Sequence, residues 1–74
     1  MATTDESKLA TSTAFKDEGN GFFKSEQYPL AIEAYTKGIE AFPTAVLYSN
    51  RAFCFLKTES FGLAIADAEE AIKL

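Results

Sequence analysis

Histidine and tryptophan are absent from the sequence, and cysteine occurs once, at Cys54. A single cysteine cannot form an internal disulfide, and without a second cysteine or a histidine it cannot complete a zinc site. We therefore interpret Cys54 as a small apolar core residue. The absence of histidine also removes the most common catalytic base, and no serine lies near a plausible substitute. We predict that this chain is not an enzyme and holds no catalytic residues, no metal and no cofactor.

Basic clusters and long apolar runs are missing as well. Seven lysines and arginines stand against eleven acidic residues, a formal net charge of −4, so nucleic acid is not expected as a partner. The longest uncharged run is too short to cross a bilayer, and residues 1–10 lack the basic and apolar regions of a secretory signal. These absences predict a soluble protein of a reducing compartment, the cytoplasm with the nucleus as a second location, and no membrane partner.

The feature that is present is an internal repeat. Sliding the 74-residue sequence by 33 residues lays residues 12–41 over residues 45–74. Conservative pairs such as Phe15 with Tyr48 preserve the spacing of apolar residues, which chance seldom does. A fixed period of this length is typical of stacked repeat units. Seven pairs are identical: Phe22 and Phe55, Lys24 and Lys57, Glu26 and Glu59, Leu30 and Leu63, Ala31 and Ala64, Ile32 and Ile65, Ile39 and Ile72.

Each copy has the pattern of two amphipathic helices joined by a polar turn. The predicted fold class is all-α, an α-solenoid of two helix-turn-helix repeats. The predicted helices lie near residues 8–25, 28–42, 44–58 and 61–74. The corresponding organisation is a flexible N-terminal tail over 1–10, repeat 1 over 11–43 and repeat 2 over 44–74.

Two glycines interrupt the first predicted helix, where each costs about 1 kcal/mol relative to alanine. Gly19 matches Ala52 in the second copy, so we interpret it as a packing residue at which two helices approach closely. Gly21 aligns with Cys54, and the sequence offers no reason for it.

The stretch "EGNGFFKSEQYPLAIEAYTKGIEAFP" resembles a tetratricopeptide repeat, and the second copy follows the same pattern. Residues at the family's signature positions are Gly19, Phe22, Tyr28, Ala31, Tyr35, Gly38 and Pro43, then Ala52, Phe55, Phe61, Ala64 and Ala71. The sequence departs from the family at Glu18 and Arg51, where an aliphatic residue is usual, and at Glu26 and Glu59, where the turn often has glycine.

Within this family, "LYSNRA" and "KTESFGLAIADA" are similar to the repeat domain that accompanies a serine/threonine phosphatase catalytic domain. The resemblance implies that the parent protein has a third repeat and a catalytic domain with a dinuclear metal site. We therefore expect this chain to be a two-repeat fragment. It also implies a regulatory role, in which the repeats dock on their own catalytic domain and restrain it.

Candidate binding residues lie on one face of the first helix of each copy. Helical spacing places Lys16, Asn20 and Phe23 with Lys24 together, and Asn50, Phe53 and Lys57 beside Ser49. An ammonium and two carboxamides that converge in a groove suit a carboxylate ligand.

The resemblance sharpens this interpretation. Chaperone-binding members of the family hold the C-terminal carboxylate of an acidic peptide in a carboxylate clamp, whose residues match Lys16, Asn20 and Asn50. Two further cations of the clamp come from a third repeat. The implied partner is a chaperone of the Hsp90 type, with the Hsp70 type as a second candidate. The groove-lining residues predicted from the helix faces are Phe23, Lys24, Ser49, Phe53 and Lys57. The position of Phe53 suits the core between the repeats equally well.

Two alternatives stay open at the level of sequence. One is a co-chaperone repeat domain unrelated to a phosphatase. The other is a structural repeat pair that self-associates through repeat 2, because the apolar stripe Leu63, Ile65, Ala68 and Ile72 has no following helix to cover it. We interpret Arg51 as a surface residue or a partner in interhelical ion pairing, not as a ligand contact, and the acids Asp67, Glu69 and Glu70 as a solvated helix face.

Overall fold

The computed structural model describes residues 4–74, and this part of the chain forms four helices and no strand. The helices are α1 (Thr4–Lys24), α2 (Tyr28–Ala41), α3 (Ala45–Lys57) and α4 (Phe61–Lys73). Helix α1 packs on α2, α3 packs on α4, and α2 joins the two pairs by packing on α3. The all-α prediction of two stacked helix-turn-helix units is therefore confirmed.

The start of α1 is the main difference from the predicted helix bounds. The sequence placed the start near residue 8, whereas α1 begins at Thr4 in the structure. Residues 4–10, which were predicted to belong to a flexible tail, are therefore helical. Asp5 and Glu6 lie in the first turn, where carboxylates interact favourably with the helix dipole. Residues 1–3 of the predicted tail lie outside the described residues.

The two hairpin turns have the same backbone geometry, one repeat apart. After α1, the N–H of Gln27 donates to the carbonyl of Phe22 at 2.9 Å and the N–H of Glu26 donates to that of Phe23 at 3.0 Å. This is a Schellman motif, which requires a left-handed residue after the helix. Glu26 takes that conformation, at a φ of 60°.

The turn after α3 repeats these bonds. Ser60 donates to Phe55 at 2.7 Å, Glu59 donates to Leu56 at 3.1 Å, and Glu59 also has a φ of 60°. The two glutamates are therefore the residues at which the family's glycine would relieve backbone strain.

The connection between the two repeats follows from Pro43 and Thr44. Proline disfavours helical geometry at the residue before it, and Phe42 is extended at a φ of −164°. Thr44 then caps α3, since its side-chain oxygen accepts a hydrogen bond from the N–H of Leu47 at 3.2 Å. The turn therefore ends α2 and starts α3 within three residues.

A small core joins the repeats. Ala31, Tyr35, Leu47 and Cys54 are buried together at the α2–α3 interface. Burial raises the pKa of the Cys54 thiol to about 11, so it stays protonated and serves as an apolar core residue, as predicted. Gly38 lets α3 approach closely, because a Cβ there would lie 2.9 Å from Cδ2 of Leu47.

The two glycines of α1 have opposite surroundings. A Cβ on Gly19 would lie 2.5 Å from Cε1 of Tyr35, so the ring packs directly against the α1 backbone. A Cβ on Gly21 would meet no atom within 4 Å, although the counterpart of this residue, Cys54, is fully buried. The cause is position in the stack: Cys54 faces repeat 1, and Gly21 faces solvent.

Arg51 ties three helices together. Its Nε and Nη2 donate to the two carboxylate oxygens of Asp67 on α4, both at 2.7 Å, and its Nη1 donates to Oγ1 of Thr36 on α2 at 3.0 Å. The guanidinium also lies 5.5 Å from the ring centre of Tyr48 and 5.7 Å from that of Phe55. Of the two interpretations of Arg51, surface residue or interhelical ion pair, the structure shows the ion pair.

Asp67 corrects the sequence interpretation. It was predicted to share a solvated face with Glu69 and Glu70, but it is only 4% exposed, because α4 turns it towards Arg51. The hydrogen bond with Asp67 is the main reason that the pKa of Arg51 is raised above its ordinary value.

Candidate peptide-binding site

Two asparagines from different repeats meet between α1 and α3. The Nδ2 of Asn50 donates to Oδ1 of Asn20 at 3.2 Å, across 30 residues of sequence. The hydroxyl of Tyr35, on α2, donates to the same oxygen at 2.5 Å. Three helices therefore contribute one side chain each to a single hydrogen-bonded cluster.

Aromatic residues form the walls around this cluster. Asn20, Asn50 and Tyr35 line a cavity of about 100 Å³ together with Phe23 and Phe53. Phe23 is held by an edge-on contact with Tyr28, whose ring centre is 5.5 Å away. The cavity thus combines amide groups with an apolar wall, which suits the end of a peptide that carries both a carboxylate and an apolar side chain.

Lys16 lies one helical turn before Asn20 on α1. Its side chain is half-buried, and within residues 4–74 it makes no ion pair or hydrogen bond. An ammonium on the same face as the asparagines supplies a point charge near the cavity, although Lys16 does not itself line it.

The remaining predicted groove residues lie in different places. Phe23 and Phe53 line the cavity, and Phe53 together with Ser49 also lines a second, larger groove. Lys24 and Lys57 are exposed and line neither space. The structure therefore brings Asn20, Asn50, Phe23 and Phe53 together, and leaves the role of the two lysines a prediction.

Tyr35 is the site residue that the sequence did not reveal. From the sequence it stood out as a signature residue of the family, and in the structure it is a core residue, 1% exposed. Burial raises the pKa of its hydroxyl to about 12, so the group stays protonated and can donate to Asn20. The signal that could have found it is chemical: the hydroxyl of a buried tyrosine needs a partner.

The second groove is apolar and lies on the open side of repeat 2. Its volume is about 450 Å³, and α3 and α4 form its two sides. Several lining residues are exposed, Phe53 at 57% and Ile72 at 85%. The lining comprises Ala45, Ser49, Ala52, Phe53, Leu56, Ala68, Ala71 and Ile72.

This groove has an occupied equivalent in repeat 1. Subtracting the 33-residue period from Ala52, Ala68 and Ala71 gives Gly19, Tyr35 and Gly38. In repeat 1 the Tyr35 ring covers Gly19, Tyr35 shares a core with Leu47 of α3, and Gly38 faces Leu47. The open groove is therefore the counterpart, in repeat 2, of the surface that α3 partly covers in repeat 1.

Other classes of site are not visible in the described part of the chain. Residues 4–74 contain no group of three or more acidic, cysteine or histidine side chains that could hold a metal ion. No helix within the same residues combines the length and the apolar character needed to span a membrane.

Comparison with known proteins identifies the relatives of this chain. It is 39% identical to rat serine/threonine-protein phosphatase 5 over 70 residues, which are 93% of this chain and 14% of the phosphatase. It is 41% identical to the yeast heat shock protein STI1 over 66 residues, 86% of this chain and 11% of STI1. It is 42% identical to Hsp70-Hsp90 organizing protein 3 of Arabidopsis thaliana over 60 residues, 80% of this chain and 11% of that protein.

No family model and no solved structure matches the chain. The chain spans at most 14% of the length of the three relatives described above.

Two stacked helical hairpins with a period of 33 residues define a helical-repeat protein of the α-solenoid class. The relatives are tetratricopeptide repeat proteins, and the chain belongs to the tetratricopeptide repeat family. It is a protein-interaction module.

Proposed function

We propose that this module binds the C-terminal carboxylate of an acidic chaperone peptide, of the Hsp90 or Hsp70 type. The observation that carries the proposal is the meeting of Asn20 and Asn50 from different repeats. Lys16 lies one turn away on the same face and has no ion-pair partner among residues 4–74. Amide N–H groups and an ammonium are donors that suit a carboxylate. Similarity to STI1 and to Hsp70-Hsp90 organizing protein 3 supports a chaperone as the partner.

The formal net charge of −4 makes the placement of Lys16 important. An acidic peptide is repelled by the chain as a whole, so attraction has to come from local donors that point at the carboxylate. Binding of this kind depends on the free terminal carboxylate more than on the overall charge of the peptide.

The test is a titration of the chain with an acidic peptide that ends in Glu-Glu-Val-Asp, followed by NMR. Lys16→Ala should weaken binding by about 1.5–3 kcal/mol, the value of a hydrogen bond to a charged group. That corresponds to about ten- to a hundredfold in Kd. The control is Lys37→Ala, which removes the same charge from α2, where Lys37 pairs with the exposed Glu33. Equal effects of the two substitutions would remove the clamp assignment.

A second part of the proposal concerns the parent protein. Similarity to rat and human phosphatase 5 supports a regulatory role, in which this module docks on a serine/threonine phosphatase catalytic domain and restrains it. The same surface would then serve both partners, and the chaperone peptide would compete with the catalytic domain. The similarity to the heat shock relatives is as high, so a co-chaperone parent is the alternative.

The open groove of repeat 2 supports a further candidate function, self-association. A second copy can cover Phe53, Leu56 and Ile72 by placing its own groove face against them, which removes exposed apolar side chains from water on both sides. The shared Phe53 would couple this contact to the peptide cavity.

Sedimentation over a concentration series tests this candidate. Ile72→Lys should weaken the dimer at least tenfold, because burying an isoleucine contributes about 1.5–3 kcal/mol. The matched control is Ile65→Lys on the same helix, since Ile65 is 61% exposed and lies outside the groove. A monomer at every concentration, or an equal response of both variants, would contradict it.

A further inference from the structure

We propose that Tyr35 is a positioning residue that holds the amide of Asn20 as a hydrogen-bond donor towards the ligand, and thereby makes the site select a carboxylate over an uncharged terminal amide. This inference rests on the proposed function, because it names what determines the ligand specificity of the same site.

The first step is the use of the Asn20 oxygen. An amide oxygen has two lone pairs, and Oδ1 of Asn20 accepts two hydrogen bonds, from the Tyr35 hydroxyl at 2.5 Å and from Nδ2 of Asn50 at 3.2 Å. Both acceptor positions are therefore occupied by the protein, and Asn20 offers no acceptor to a ligand.

The second step concerns the other half of the same amide. Within residues 4–74, Nδ2 of Asn20 makes no hydrogen bond. No buried side-chain nitrogen or oxygen in the described part of the chain lacks a partner, so this nitrogen is in contact with solvent. The amide is thus held with its acceptor inward and its two N–H donors free to meet an incoming group.

The third step shows why Tyr35, rather than Asn50, determines this orientation. If both asparagine amides rotated by 180°, Oδ1 of Asn50 would accept from Nδ2 of Asn20 and their mutual bond would survive. The Tyr35 hydroxyl would then face Nδ2 of Asn20 and lose Oδ1 of Asn20, the acceptor to which it donates at 2.5 Å. Losing this short hydrogen bond on a side chain that is 1% exposed disfavours the rotated arrangement.

The fourth step separates this role from core packing. The phenyl ring of a phenylalanine would fill the space against Gly19 as well as the tyrosine ring does, and only the hydroxyl reaches Asn20. In repeat 2 the equivalent positions are Ala68 and Phe53, so the pair of hydroxyl and amide occurs once in the two repeats.

The experiment compares Tyr35→Phe with the wild-type 74-residue chain. Two peptides are titrated, identical except that one ends in a free carboxylate and the other in a carboxamide, and the ratio of their affinities is measured. We expect the wild type to prefer the free acid and Tyr35→Phe to reduce that preference about tenfold, because the released amide can turn its oxygen towards the ligand. Tyr48→Phe is the control, since it removes a hydroxyl that lies outside the cavity.

A second readout needs no ligand. In the free protein, the side-chain NH₂ signals of Asn20 should shift in Tyr35→Phe and stay in place in Tyr48→Phe. Suppose that the wild type prefers the acid, but that Tyr35→Phe leaves both the Asn20 signals and the affinity ratio unchanged. That result would overturn the positioning role of Tyr35 and leave the proposed function intact. If the wild-type chain bound neither peptide, or bound both equally, the proposed function would fail and the selectivity inferred here would fail with it.

Discussion

Replacing Asp67 by alanine should lower the free energy of unfolding by about 3 kcal/mol. The reason is that Arg51 would be left with its Nε and Nη2 unpaired between α3 and α4, and removal of one partner from a buried ion pair typically costs about 3–5 kcal/mol. For a chain of this size the melting temperature should fall by roughly 12–24 °C, as measured by circular dichroism.

A control on the same helix separates the effect of losing a buried carboxylate from the effect of losing one negative charge. Glu70→Ala removes a carboxylate whose pairing with Lys73 is exposed at both ends, and exposed pairs contribute about 0–1 kcal/mol. A double variant, Arg51→Leu with Asp67→Leu, should recover much of the stability, because an apolar pair of similar volume often replaces a buried ion pair without loss. Similar melting temperatures for Asp67→Ala and Glu70→Ala would show that the Arg51 network does not hold the helices together.

Replacing Gly19 by alanine should destabilise the chain, and replacing Gly21 should stabilise it. Both substitutions gain about 1 kcal/mol of helix propensity. At Gly19 the new methyl meets the Tyr35 ring at 2.5 Å, and overpacking of this kind costs about 1–3 kcal/mol. At Gly21 the methyl meets nothing within 4 Å.

Urea denaturation of the two variants provides the comparison, with each glycine serving as the control for the other. Because Tyr35 has to move, Gly19→Ala should also disturb the hydrogen bond between Tyr35 and Asn20, visible in the NMR signals of Asn20. A Gly19→Ala variant as stable as Gly21→Ala would mean that the ring adapts easily and that the close approach is not required.

The sequence predicted the fold because the information was present twice. The 33-residue period matched Glu26 with Glu59, and these residues occupy the same left-handed turn position in the two hairpins. Asn20 and Asn50 were predicted to converge because each lies on the groove face of its helix, and a hydrogen bond joins them.

Structural roles that have no counterpart in the other repeat were not predicted from the sequence. Asp67 matches Ala34, so no repeat pattern marked it for burial, and its partner Arg51 lies 16 residues away on another helix. The first turns of α1 were placed outside the helix because their polar residues show no apolar periodicity. The role of the Tyr35 hydroxyl depends on an atom that hydrophobic patterns do not register.

The unlike faces of α1 and of repeat 2 limit how copies of this chain can assemble. Growth into a filament requires α1 of one copy to enter the open groove of the next, as α3 enters the groove of repeat 1. Ala14, Glu18 and Gly21 of α1 stand where α3 has Leu47, Arg51 and Cys54, so α1 offers little apolar surface for such a contact.

The charges oppose it as well. The partner of Arg51 on α2 is Thr36, and the residue one period after Thr36 is Glu69, so an added copy would set Glu18 against Glu69. Like charges in that position repel. If copies pair through their open grooves, as proposed above, this repulsion favours a closed pair over a continuous fibre.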